Sequence, residues 1–136
     1  MSRVLVDTGV FSASLSRRRR ERFEKHVRAM SGRRIFLAAQ TIAELRFGAL
    51  VAGWGDARRL RLETAIAATT IIPVSDALIS EAAELRFECR RVGHPLAAES
   101  HAADLWIAAS ARHISAPLLS ADSIFENAPG VARVTL

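Results

Sequence analysis

The sequence predicts an α/β protein, a parallel sheet of about five strands with helices on both faces. Two observations predict it. Short runs of valine, isoleucine and leucine recur along the chain, and most are separated by stretches that carry helical start and stop signals. Strands joined through helices pair in parallel, because a parallel connection must cross back over the sheet. Repeats, low-complexity tracts and linker-like segments are absent, so residues 1–136 are expected to form a single domain.

The elements follow in order. Arg3-Val4-Leu5-Val6 reads as the first strand and stops at Asp7-Thr8-Gly9. Residues 17–30 are charged and helix-compatible, with Phe23 and Val27 on one side at i, i+4. Ser31-Gly32 ends that helix and residues 33–38 make the second strand. Thr41 is the expected N-cap of a helix running to about Ala52, which Gly53-Trp54-Gly55 breaks. A helix over about 56–68 then leads into a third strand at 70–74. Ser75 caps a long helix with Ile79, Ala82, Ala83, Leu85 and Phe87 among its apolar positions, closed by Gly93 and Pro95. Ser100 is expected to cap the next helix, which reaches His113 through Leu105, Trp106, Ala108 and Ala109. Residues 117–120 and 131–135 supply the fourth and fifth strands.

Composition bounds the function. Half of the residues are apolar and 24% are charged, the balance of an ordinary globular protein. A chain this long buries roughly two-thirds of its unfolded surface, so one core suffices without disulfides. Cys89 is the only cysteine and reads as a structural thiol. No apolar run has the length of a membrane span and no leader precedes the first strand, so the cytoplasm is the expected compartment.

Four acids stand where a parallel sheet places its ligands, beyond the carboxyl ends of the strands. Asp7 follows the first strand and Asp122 follows the fourth; Glu44 and Asp104 lie near the starts of helices. Each of Asp7, Glu44 and Asp104 comes directly after apolar residues. Carboxylates held together in such surroundings need a counter-charge. A hard divalent cation supplies it, and Mg²⁺ or Mn²⁺ suits an all-oxygen site that keeps several waters. Such an ion activates water for phosphodiester hydrolysis.

The charge balance agrees with a polyanionic substrate. With those four acids set aside, nineteen basic residues face ten acidic ones, leaving +9 on the rest of the chain. Eighteen of the basic residues are arginine, whose fork pairs bidentately with phosphate. Residues 17–34 are densest in charge, and Arg17, Arg18, Arg19 and Arg20 are the candidate rim for the phosphates of such a polyanion.

Four stretches in order carry a resemblance: Val6-Asp7-Thr8, Thr41-Ile42-Ala43-Glu44-Leu45-Arg46-Phe47-Gly48, Asp104-Leu105-Trp106-Ile107-Ala108-Ala109 and Leu119-Ser120-Ala121-Asp122. From Val4 to about Val134 the chain resembles PIN-domain nucleases, and specifically VapC-type toxins of VapBC toxin–antitoxin systems. The resemblance implies a PIN-like α/β/α sandwich and an endoribonuclease acting on structured RNA such as tRNA or rRNA. It implies that Asp7, Glu44 and Asp104 are the core metal-binding acids and Asp122 the more variable fourth. Thr8 and Ser120 match hydroxyl positions that help orient ligands and water. A cognate VapB-type antitoxin is implied as partner, and the apolar helices would permit the homodimer such toxins commonly form. The pattern departs at Gly9, where many relatives carry a small polar residue.

Other chemistries fit poorly. A phosphorelay receiver needs a late lysine, and the only lysine is Lys25. A haloacid-type phosphatase needs a second acid where Gly9 stands, and no phosphate-cradling glycine pattern is present. His26, His94, His101 and His113 match no zinc-ligand spacing. The alternative within the resemblance is a catalytically silent PIN module that binds RNA or a protein; its mark would be the loss of a core acid.

Overall fold

The computed structural model describes residues 2–136. Four strands, β1 (Arg3–Val6), β2 (Arg34–Ala38), β3 (Thr70–Ile72) and β4 (Leu118–Leu119), form one parallel sheet in the order β3-β2-β1-β4. Register is fixed by pairs such as Leu5 with Phe36, Leu5 with Leu118, and Leu37 with Ile71. Seven helices connect and cover the sheet: α1 (Thr8–Ser14), α2 (Arg17–Arg22), α3 (Glu24–Arg28), α4 (Ala39–Val51), α5 (Asp56–Ala67), α6 (Asp76–Val92) and α7 (Ala102–His113).

The two-residue period of the strands divides the core. Leu5, Phe36, Ala38 and Leu118 face one way and pack with Leu78, Leu85 and Cys89 of α6 and with Leu105 and Ala108 of α7. Val4, Val6, Leu37 and Leu119 face the other way, against Val10 and Phe11 of α1, Leu45 of α4 and Ile66 of α5. Helices therefore cover both faces, as a parallel sheet with apolar residues on both sides requires. Cys89 is fully buried and burial pushes its thiol up, which suits a structural role.

The structure corrects several boundaries. Among the described residues the sheet has four strands where about five are expected, a small difference within the same fold: residues 131–135 meet β4 at a single bridge, Leu118 with Arg133. β4 is only two residues long, so it offers that segment one rung. The helix expected over 17–30 is two pieces, broken at Phe23 (φ −119°, ψ 32°), because both fold against α1. The segment after Asp7 is itself helical, an element its Gly and Ser residues conceal. Thr41 is no N-cap; α4 begins at Ala39 straight off β2, and Thr41 is completely buried. Ser100 lies in the 3₁₀ turn Glu99–His101, so it does not cap α7. β3 stops at Ile72, before Pro73, whose ring nitrogen cannot donate to a neighbour. Ile79 and Phe87 on α6 are exposed; Leu78, Ala82, Leu85 and Cys89 form its buried stripe. Among the described residues no helix is long and apolar enough to cross a membrane.

Candidate active site

The strand order contains a switch point. The chain builds outward from β1 through β2 to β3, then returns to place β4 on the other side of β1. Connections diverge at that point and leave a crevice beyond the strand ends. A cleft of about 470 Å³ opens there, lined by Asp7, Glu44, Asp104 and Asp122 together with Thr8, Gly9, Phe23 and Ile107. All four expected acids thus line one cleft, each carried by a different segment.

Asp7 is held most firmly. Its backbone N–H donates to the Leu119 carbonyl at 3.1 Å, joining the end of β1 to β4. Its side chain caps α1, Oδ1 accepting the Val10 N–H at 2.8 Å, while Oδ2 accepts the Ser120 hydroxyl. Each carboxylate oxygen keeps a lone pair for another partner. Burial pushes the Asp7 carboxyl up; the Ser120 and Val10 bonds oppose this, and the charges of Asp122 and Asp104 add to it.

Glu44 sits one turn beyond the start of α4. Burial raises its carboxyl and the charge of Asp104 raises it further; a hydrogen bond from Thr8 pulls it down and the charge of Asp7 pushes it up. Its Oε1 is buried and has no hydrogen-bond partner among the described residues. Thr8 and Thr41 are joined through their hydroxyls, Oγ1 to Oγ1 at 3.1 Å, which ties the start of α1 to α4. Asp104, in the first turn of α7, is half-buried and its Oδ2 lies 3.2 Å from His101 Nδ1. Asp122 is exposed and caps the 3₁₀ turn Ser123–Phe125, its Oδ1 accepting the Ile124 N–H at 3.0 Å. Phe125 is fully buried in the core and anchors that turn.

The donor chemistry fits a hard divalent cation. The cleft is carboxylate-rich, two of its acids are pushed toward protonation, and the orphaned Glu44 Oε1 lacks the positive partner that a buried carboxylate oxygen requires. Among the described residues no three His, Cys, Asp or Glu side chains stand at the spacing of a formed metal site. The α1 cap engages the Asp7 carboxylate and His101 engages that of Asp104.

Ser120 accepts the Asp122 N–H at 3.0 Å as well as donating to Asp7, so it couples two of the acids. Arg17, Arg18, Arg19 and Arg20 are exposed on α2 and none lines the cleft; Arg19 turns back to Ser12 Oγ at 2.7 Å. Phe23, which ends α2, does line it. Sequence reading missed Arg133, which lies in the expected fifth strand. Its Nη2 donates to the Ser120 carbonyl at 2.9 Å and to the Asp122 carbonyl at 3.3 Å, fixing the loop that carries both residues. Nothing in the local pattern at 131–135 signals that long-range contact. Trp54 packs half-buried against the core under the Arg58 guanidinium, 4.3 Å from its ring centroid.

Comparison with known proteins agrees with this architecture. Residues 4–131 match the PIN domain. The chain is 32% identical over 134 residues to Ribonuclease VapC5 of Mycobacterium tuberculosis (strain ATCC 25618 / H37Rv), covering 97% of this chain and 92% of that protein. Among solved structures, it is similar to FitAcB from Neisseria gonorrhoeae, with TM-score 0.77 and 25% identity over 97% of this chain and 96% of that one. It shares its fold with VapBC2 from Rickettsia felis bound to a promoter DNA fragment, with TM-score 0.75 and 19% identity over 96% of each chain.

Proposed function

The chain belongs to the PIN-domain family, and on that premise we propose that it is a Mg²⁺-dependent endoribonuclease, with Mn²⁺ as an alternative ion, acting as the toxin of a toxin–antitoxin pair. The observation that carries this reading is the cleft at the β1–β4 switch point, lined by four acids from four segments. The identity to Ribonuclease VapC5 supports RNA as the polymer cut, and the likeness to FitAcB and VapBC2 supports a VapB-type partner.

Asp7, Glu44, Asp104 and Asp122 would hold the ion. When bound, it offsets their charge, lowers the pKa of water and stabilises charge developing on the phosphodiester. The chain's own groups do the rest. Ser120 and the Val10 N–H hold the Asp7 carboxylate in one orientation, so its free lone pairs keep a fixed aim. The Thr8–Thr41 hydroxyl pair ties α4, which carries Glu44, to the start of α1, and Oε1 of Glu44 is kept out of bulk water. Phe23 and Ile107 supply apolar wall, which strengthens electrostatic attraction inside the cleft.

The partner needs the opposite chemistry from the substrate. A metal-free cleft repels phosphate and attracts cations, so an antitoxin arginine or lysine inserted among Asp7, Glu44 and Asp104 would take the ion's place. Excess Mg²⁺ should then relieve inhibition.

Cleavage of tRNA and rRNA by the purified protein tests the assignment. Activity should vanish on chelation and return with Mg²⁺ or Mn²⁺. Asp104→Asn should remain folded and lose cleavage by at least about a hundredfold, since an activated water and charge stabilisation are both weakened. Parent-like cleavage by a folded Asp104→Asn protein removes that residue from the reaction. RNA retention without cleavage by the metal-loaded parent would favour a silent binding module.

A further inference from the structure

A second groove, of about 890 Å³, lies between the C-terminal half of α6 and the 3₁₀ turn Pro95–Ala97. It is lined by Ala83, Arg86, Phe87, Arg90, His94 and Pro95 among others, and no carboxylate lines it. Glu81 and Glu88 of α6 are bound to Arg112 of α7, and Glu84 lies outside the groove lining. Phe87 is 62% exposed, with the Arg91 guanidinium 6.0 Å from its ring centroid. Among the described residues neither Arg90 nor Arg91 has a carboxylate within ion-pair distance. Arg86 uses its Nε on the Ala97 carbonyl at 3.1 Å, and among the described residues its remaining N–H groups carry no hydrogen bond. A neighbouring groove shares Gly93, His94 and Pro95 and extends to Glu126 and to Ser123 and Ile124, the two residues that directly follow Asp122 of the acid cleft.

An exposed aromatic ring among unpaired arginines is complementary to unpaired nucleotides. Any base can stack on the ring, and guanidinium forks match phosphate oxygens. An apolar protein partner is a poorer match, because covering these arginines without acids would strip their hydration uncompensated. We propose that this groove is a second RNA-contact site, taking an unpaired base on Phe87 and flanking phosphates on Arg86 and Arg90 of its lining and on Arg91 beside the ring, while the acid cleft holds the bond to be cut. The assignment of the polymer as RNA rests on the nuclease reading above.

The test is binding of a fluorescently labelled single-stranded RNA to the full chain, read by anisotropy in chelator so that nothing is cut. Phe87→Ala should weaken binding about tenfold, and Phe87→Trp should retain it. The Arg90→Gln, Arg91→Gln double variant should weaken binding and reduce the slope of log affinity against log salt by about 0.7 per arginine. These side chains are exposed, so thermal melts should match the parent. Parent-like affinity in both the Ala and the double variant overturns the proposal. So does a parent dimer, seen by sedimentation, that Phe87→Ala dissociates with RNA affinity unchanged, because the face is then a self-interface. If the parent binds RNA through Phe87 yet cleaves nothing with Mg²⁺, the nuclease reading fails and this contact stands.

Discussion

At the residue scale, the buried Asp7 and the half-buried Glu44 both have carboxyls pushed up by their surroundings. Glu44 has its carboxyl raised in the fold by burial and by Asp104. Stability tied to a raised carboxyl is present below its unfolded value of about 4.3 and is lost as pH rises through the folded value. Metal-free Glu44→Gln should therefore melt higher than the parent at neutral pH, with the gap closing as pH falls toward about 4. Melting curves across that range check it; a gap that widens on acidification would mean that burial and Asp104 do not raise this carboxyl. Ser120 acts on the buried Asp7. Ser120→Ala removes the hydroxyl that donates to Asp7 and accepts from the Asp122 N–H. It should cost about 1–3 kcal/mol in a denaturation titration, because a buried acceptor is left short of a donor. Asp7 should then be pushed further up, moving the acid limb of the cleavage pH profile to higher pH. An unmoved acid limb would mean that this hydroxyl does not tune Asp7.

At the element scale, the site depends on how α6, α7 and the C-terminal loop are clamped together. Arg112 of α7 donates to Glu81 at 3.1 Å and Glu88 at 2.5 Å of α6, and to the Pro129 carbonyl at 3.1 Å. Burial disfavours its charge, but the bonds and charges of Glu88 and Glu81 outweigh that and hold the guanidinium protonated. Arg112→Met keeps the packing stem and removes the fork, leaving two half-buried carboxylates facing each other. The expected loss is about 2 kcal/mol, below that of a fully buried pair because Glu88 is 39% exposed. Cleavage should survive wherever the variant is folded, since α7 still carries Asp104. Full stability in urea titration would show that the clamp contributes geometry without energy. The C-terminal segment has a matching role at the cleft: Arg133 holds the carbonyls of Ser120 and Asp122, work that a fifth strand of backbone rungs would not do.

At the scale of the whole molecule, charge is segregated. The four cleft acids are set in a remainder of +9. Such a surface draws in a polyanion from a distance, with affinity that falls as salt releases the condensed counterions. Replacing Arg17, Arg18, Arg19 and Arg20 by Ser should weaken RNA binding and flatten its salt dependence, by up to about 0.7–0.9 in log–log slope for each phosphate that the variant no longer neutralises. Metal affinity, measured by calorimetry, should not change, because none of the four lines the cleft. An unchanged salt slope would reduce α2 to a solvated face.

What the sequence determined by itself is the alternation and its consequence. Val4-Leu5-Val6, the 33–38 run and the intervening helical signals required a parallel sheet covered on both faces. Acids placed just past strand ends had to fall on one edge of it. Those are local properties: a two-residue period, a helix cap, a position relative to a strand. The tertiary structure alone decided that β4 joins β1 on the side away from β2, which brings Ser120 onto Asp7. It decided that Thr41 is buried against Thr8 instead of capping a helix, and that Phe23 breaks its helix at the mouth of the cleft. It also turned Phe87 to solvent and Arg133 inward. Each of these is a contact between residues far apart in the chain or a choice of exposed face. Propensity and spacing carry no information about partners across space, so only packing could settle them.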